Sequence, residues 1–220
     1  MIKAVIFDMD GVLIDSEIVY LRYQAEKLRE SYPWIKDEHL YPLVGMDNKE
    51  DKIYLADLLG HDANDPAFLK EMKELSDGIC VDYRSIMREA VPELLETLRR
   101  NGYRIGLASS SSRSNIMQVL GECGIGSYFE CIVSGEQFAR SKPDPEIYRF
   151  AMRQIGVQPD ECLVVEDSTY GVQAGYAAGV YIAALRDTRF PFDQSLADFH
   201  IESLDEIPHV LTKLRTQELH

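Results

Sequence analysis

The sequence predicts an α/β fold: a doubly wound parallel sheet with a small all-helical segment inserted after its first strand. Three observations carry this. Short apolar runs rich in β-branched residues recur at 4–7, 105–108, 131–133, 162–165 and 180–185, most are separated by stretches of helical periodicity, and residues 16 to about 80 contain no such run. Strands covered on both faces read as continuous apolar runs, and their alternation with helices marks a parallel sheet. Open sheets of this kind bind ligands beyond the carboxyl ends of their strands, where Asp10, Ser109 and Asp167 fall.

The 220 residues suffice for a medium domain with a small insert, at roughly 100 to 200 residues per domain. The expected division is 1–15 with 83–220 for the sheet domain and 16–82 for the helical one. A hydrophobic fraction of 45% supplies a full core. The formal net charge of −14 argues against nucleic acid or an anionic membrane as partner, because phosphate-rich surfaces are bound through positive charge. Cys80, Cys123, Cys131 and Cys162 are scattered, without zinc spacing, and read as reduced thiols. The chain enters a strand directly and has no apolar run that could span a bilayer, so a cytoplasmic protein is the expectation; a monomer is the simplest expectation for its assembly.

The first strand runs out into Asp8-Met9-Asp10-Gly11. On an extended backbone residues i and i+2 point to one side, so Asp8 and Asp10 can face one reaction centre. Two like charges held that close repel, and a divalent cation keeps both useful. Taken alone, an Asp-x-Asp-Gly at a strand end is also an ordinary turn or cap.

In the insert, Ile18, Leu21, Ala25 and Leu28 follow helical spacing, as do Ile53, Ala56 and Leu59 with Leu55 and Leu58 beside them. Three or four helices are expected, interrupted near Tyr32-Pro33, Tyr41-Pro42 and 63–66. After the second strand, Ser109 opens a run of four serines leading into a helix at about Arg113. A strand-end hydroxyl and the free N–H groups of a following helix turn form a cradle for phosphate, here from Ser109 and Ser110, with a later serine as N-cap.

Beyond the third strand, Pro143 restricts Lys142 to an extended conformation, Asp144 is a good N-cap, and Pro145 suits the first helical position. Lys142 is thereby fixed at the lip of a helix as an anchor for phosphate or for a nucleophilic carboxylate. The fourth strand ends in Glu166-Asp167. Two adjacent acids there are costly unless neutralised, and Mg²⁺ suits a few carboxylates plus waters and phosphate. Asp8, the backbone carbonyl of Asp10 and Asp167 make the set. Adjacent strand residues point in opposite directions, so Glu166 reaches the metal through water or orients a neighbour. Gly171, Gly175 and Gly179 line one helix face and read as close packing, with Gly179 ending the helix.

DMDGV at 8–12, LASSS at 107–111, SKPDP at 141–145 and VVEDS at 164–168, in that order, resemble the four motifs of the haloacid dehalogenase superfamily across the chain. The single insert after the first motif looks like its C1-type helical cap, as in the phosphoglycolate phosphatase and β-phosphoglucomutase branch. The resemblance implies that Asp8 attacks phosphorus to form an aspartyl-phosphate and that Asp10 protonates the leaving oxygen, then activates water. It further implies metal ligation by Asp8, Asp10, Asp167 and Glu166, phosphate binding by Ser109, Ser110 and Lys142, and substrate contact from the insert. Lys49, in the segment 45–51 where relatives carry a substrate-reading loop, is the candidate for that contact; a solvated helix-start lysine is the equal alternative.

A phosphatase of a small phosphorylated metabolite, such as a sugar or polyol phosphate, is thus expected. A sugar-phosphate mutase is the nearest alternative, but the His and cap Lys of β-phosphoglucomutases look replaced by Tyr20 and an apolar residue near Ile79. An inactive binding module or a signalling receiver is the alternative of another class. The intact motif set speaks against the first. A receiver needs an acceptor Asp after the third strand, where Ser134-Gly135-Glu136 stands.

Overall fold

An unbroken apolar run needs cover on both faces, and Ala4–Phe7 (β1) finds it at the centre of a six-stranded, all-parallel sheet. The computed structural model describes residues 1–44, 48–75 and 79–217, with the side chains at 48–50 and 217 outside that description. The other strands are Arg104–Ser109 (β2), Cys131–Ser134 (β3), Cys162–Glu166 (β4), Tyr181–Leu185 (β5) and Phe199–Ile201 (β6), in the order β3-β2-β1-β4-β5-β6. Five of these are the apolar runs of the sequence. The sixth, Phe-His-Ile at the sheet edge, is too short and too exposed to carry an apolar signature.

Chain order reverses between β1 and β4, which pair directly from Ala4 with Cys162 to Phe7 with Val165. Such a switch point opens a crevice beyond the strand ends. Asp8 extends the pairing by one residue, its N–H donating to Val165 O at 3.0 Å. The two-residue period decides what each face carries. Ala4, Ile6, Cys162, Val164, Ile182 and Ala184 pack against Glu146–Ile155 (α6) and Thr169–Ala178 (α7) in one buried cluster. Continuing that parity, Glu166 faces α6 and α7.

The chain divides into two units, Met1–Asp15 with Asp82–Thr188 and Phe192–His220, and Ser16–Val81 with Arg189–Pro191. The sheet unit also holds Val91–Arg100 (α4), Arg113–Cys123 (α5) and Ile207–Gln217 (α8). The second unit is built from Glu17–Ser31 (α1), Asn48–Leu59 (α2) and Pro66–Leu75 (α3), with short 3₁₀ turns at Asp37–His39 and Tyr41–Leu43. Leu21, Ala25 and Leu28 of α1 are buried as their spacing predicts, and so are Leu55 and Ala56 of α2; Ile53 points outward at 54% exposure. Phe190 joins this unit through an edge-on contact with Tyr41, ring centroids 5.8 Å apart.

All four cysteines are free, and among the described residues no helix is long and apolar enough to cross a membrane.

Candidate active site

The sheet unit's buried polar side chains gather at the switch point. Asp8 after β1, Ser109 ending β2, Lys142 before α6, and Glu166 and Asp167 at the end of β4 are each less than 9% exposed in an apolar core. Burying charges singly is prohibitive, so the site is organised by pairing. Lys142 Nζ donates to Asp8 Oδ1 at 2.5 Å, to Glu166 Oε1 at 2.7 Å and to Ala108 O at 3.0 Å. Those three acceptors match the three hydrogens of an ammonium. Burial opposes that charge, but Asp8 and Glu166 outweigh it and hold Lys142 well above the ordinary lysine pKa. Of the two roles expected for Lys142, anchoring the nucleophilic carboxylate is the one this geometry supports.

The chain before α6 departs slightly from expectation. The Lys142-Pro143 peptide is cis, and the helix opens at Glu146 with Pro145 at the N-cap position. Asp144 still satisfies the helix end, accepting from the Glu146 N–H at 3.1 Å.

Asp10 is turned away from this cluster toward the serine run. Its Oδ2 accepts from Ser111 Oγ at 2.7 Å and from Ser109 Oγ at 3.3 Å, while Ser109 Oγ accepts from the Ser111 N–H at 3.0 Å. Ser112 caps α5 by accepting from the Asn115 N–H, and Ser110 is exposed with its Oγ 3.4 Å from Ser141 Oγ. The serine loop is braced from β3, where Ser134 Oγ donates to Ser111 O at 2.7 Å. Gly135 lies against it so closely that a Cβ there would meet the Ser110 backbone at 3.1 Å. Ser111 is a site residue that the sequence reading missed, although it stands within the serine run.

Gly11 turns the chain after Asp10 with φ +75°, and a Cβ there would fall 1.9 Å from Asp167 Oδ2. Glycine is required twice over, for the left-handed backbone and for the approach of the Asp167 carboxylate. Arg88 fixes the same turn by donating to Gly11 O at 2.7 and 3.1 Å. On the other side, Gln194 Nε2 donates to the Asp167 carbonyl and, at 2.8 Å, to Leu185 O, tying the loop after β4 to the end of β5.

Asp8, Glu166 and Asp167 can each present a carboxylate oxygen such that all lie within 4.8 Å of one another. Hard oxygen donors of this kind suit Mg²⁺, Mn²⁺ or Ca²⁺. Asp8 and Glu166 share the Lys142 ammonium, and Asp167 adds a third carboxylate to the group, an excess of acidic groups that a cation would relieve. Burial, followed by the nearby Glu166 and Asp10, pushes the Asp8 carboxyl up to about 8 against the pull of Lys142. A bound cation acts in the opposite direction.

Glu166 differs from its neighbours. Its Oε1 accepts from Lys142 and from the Tyr148 hydroxyl, and its Oε2 from the Asp167 N–H at 3.1 Å and Ser168 Oγ at 3.3 Å. With both oxygens so engaged, its geometry favours orienting Lys142 over direct metal ligation, leaving Asp8 and Asp167 as the side chains for an ion. Gly171 belongs here as well as to the packing of α7, since a Cβ on it would lie 1.9 to 2.0 Å from the Glu166 carboxylate. Gly175 packs against Ile182, and Gly179 ends the helix at φ +79°. Lys49 belongs to α2, but its side chain lies outside the described residues.

Known proteins are similar to this chain in sequence and fold. A phosphorylated carbohydrates phosphatase of Thermotoga maritima is 32% identical over 182 residues, covering 81% of this chain and 82% of that protein. A variant of CbbY from Rhodobacter sphaeroides, solved in complex with xylulose 1,5-bisphosphate, superposes with a TM-score of 0.69 at 25% identity over 92% of this chain and 95% of its own. A β-phosphoglucomutase from Clostridium difficile superposes with a TM-score of 0.80 over 100% of both chains at 21% identity, a likeness of fold. The sequence pattern of the haloacid dehalogenase-like hydrolases matches residues 5–185, and the chain belongs to that family.

Proposed function

We propose that the protein is a Mg²⁺-dependent phosphatase of a small phosphorylated metabolite, a sugar or polyol phosphate, acting through an aspartyl-phosphate on Asp8. The observation that carries this reading is the pairing of Asp8 with a buried ammonium at a sheet switch point, beside an Asp10 held separately by serine hydroxyls. The phosphorylated carbohydrates named for one relative and the xylulose 1,5-bisphosphate bound by the CbbY variant support the substrate class.

In the first step an Asp8 oxygen attacks phosphorus, the phosphorus–ester oxygen bond breaks, and Asp10 gives its proton to the leaving oxygen. In the second, Asp10 takes a proton from water as that water attacks phosphorus, releasing inorganic phosphate and the Asp8 carboxylate. Lys142 fixes Asp8 throughout, and Ser109 and Ser110 border the place of the phosphoryl oxygens. Asp8 and Asp167, with the Asp10 carbonyl, would hold the Mg²⁺, which supplies charge neutralisation of the phosphoryl group when bound.

The mutase reading has behind it the likeness to solved structures named as a β-phosphoglucomutase and a putative β-phosphoglucomutase, at 21% and 29% identity. Free phosphate released from a panel of sugar, polyol, nucleotide and short-acid phosphates is the direct measurement. Release that requires Mg²⁺, stops with EDTA and is fastest for sugar or polyol phosphates is expected. No release from any member, by folded protein that binds Mg²⁺, overturns hydrolysis.

Lys49 is assigned to substrate selection within the same proposal. Replacement by Ala is expected to raise KM and flatten the ranking across the panel while leaving kcat on the best substrate within about threefold. If KM and ranking are both unchanged, Lys49 returns to the solvated surface.

A further inference from the structure

Tyr148 is buried, ionisable and unused by the mechanism above. It sits in the first turns of α6, six residues beyond Lys142, with no exposed surface. A core tyrosine needs a partner for its hydroxyl, and this one donates to Glu166 Oε1, the same oxygen that accepts from Lys142. The Lys142 ammonium also lies 5.0 Å from the Tyr148 ring centroid, within cation–π reach. Tyr148 therefore touches both members of the pair that fixes Asp8 from behind. Gly171 closes the other side, since any Cβ there would displace the Glu166 carboxylate.

We infer that Tyr148 is a positioning residue: acting through Glu166, its hydroxyl sets where the Lys142 ammonium stands and hence how Asp8 is presented to phosphorus. Two carboxylates compete for one ammonium. Glu166 Oε1 and Asp8 Oδ1 both attract Lys142, at 2.7 and 2.5 Å. A second donor on Glu166 Oε1 satisfies part of that oxygen's demand and leaves more of the ammonium to Asp8. Without the hydroxyl, Lys142 is drawn toward Glu166 and Asp8 loses its alignment. A misplacement on the order of 1 Å at a reacting group can cost about 100-fold in rate.

The catalytic part of this inference rests on the phosphatase reading; the link from Tyr148 to Lys142 does not. Tyr148→Phe keeps the ring and removes only the hydroxyl. Two readouts separate the questions. The first is the ¹⁵N-resolved NMR signal of the Lys142 ammonium in metal-free protein, where burial protects its protons from exchange, assigned by its loss in Lys142→Met. It is expected to shift in Tyr148→Phe while the backbone amide spectrum stays parental away from the site. The second is steady-state hydrolysis of the best panel substrate, where kcat and kcat/KM are expected to fall together by about 10- to 100-fold with KM little changed.

An unchanged ammonium signal with unchanged kcat overturns the inference, as does a lower melting temperature without either effect, which marks a purely structural tyrosine. If the parent releases no phosphate, the phosphatase reading fails, and the ammonium signal still decides the link to Lys142. Gly171→Ala pushes on Glu166 from the opposite side and is expected to move the same signal, so it serves as the test if Tyr148→Phe does not fold.

Discussion

Asp8→Asn is expected to abolish turnover, by at least about 1,000-fold in kcat, while the fold persists. The magnitude follows from removing a nucleophile, after which only binding and charge stabilisation remain. Persistence of the fold follows from geometry. An amide at position 8 keeps an oxygen for Lys142 Nζ, so the ammonium retains Glu166, Ala108 and an acceptor where Asp8 Oδ1 stood. The substitution also removes a carboxyl whose ionisation is opposed by burial and by the nearby Glu166 and Asp10. The metal-free variant is therefore expected to melt no lower than the metal-free parent and to gain less from added Mg²⁺, because a ligand that binds only the native state stabilises in proportion to its affinity. Phosphate release, melting curves with and without Mg²⁺, and a backbone amide spectrum check the three parts. Residual activity above about 1% of the parent removes Asp8 from the nucleophile's role.

How far the site was legible from the sequence follows from the range of the interactions that build it. The strands read directly because sheet burial on both faces leaves an apolar run, and Asp8, Ser109 and Asp167 read directly because each stands where such a run stops. The edge strand Phe199–Ile201 gave no signal, since an edge is half exposed and three residues show no period. Tyr148 was hidden by its own helix. With Ile147, Ala151, Met152 and Ile155 it completes an amphipathic stripe, and only its hydroxyl's partner on β4 sets it apart. Gly171 was masked in the same way, because spacing of four in a helix reads as packing whether the neighbour is a methyl or a carboxylate. Gln194 and Ser111 act across loops, where residue type alone does not name the atom it will meet.

Lys142→Met is expected to cost the protein stability as well as activity. The replacement matches the length of the stem but removes the charge that Asp8 and Glu166 share, leaving two carboxylates in a site where Glu166 has no exposed surface and Asp8 is 7% exposed. Breaking a buried ion pair from one side costs about 3–5 kcal/mol, which for a chain of this length lowers the melting temperature by on the order of 10 °C. The sign of the pH dependence identifies the cause. Burial already holds the Asp8 carboxyl at about 8 in the parent, and removing the pull of Lys142 raises it further, so the folded variant keeps that proton to higher pH than the parent and loses stability as the pH rises past the parent's value. The deficit relative to the parent is thus expected to be smallest below about pH 8, where Asp8 is protonated in both proteins, and to widen as the pH is raised above about 8 in metal-free buffer. A deficit that stays constant as the pH is raised above about 8 assigns the contribution of Lys142 to packing instead of charge. Lys142→Arg is not expected to restore activity, because a planar guanidinium cannot direct three hydrogen bonds at Asp8, Glu166 and Ala108 from the position of one tetrahedral nitrogen. Full activity in that variant shows that positive charge alone suffices, and that the three-way geometry around Lys142 is dispensable.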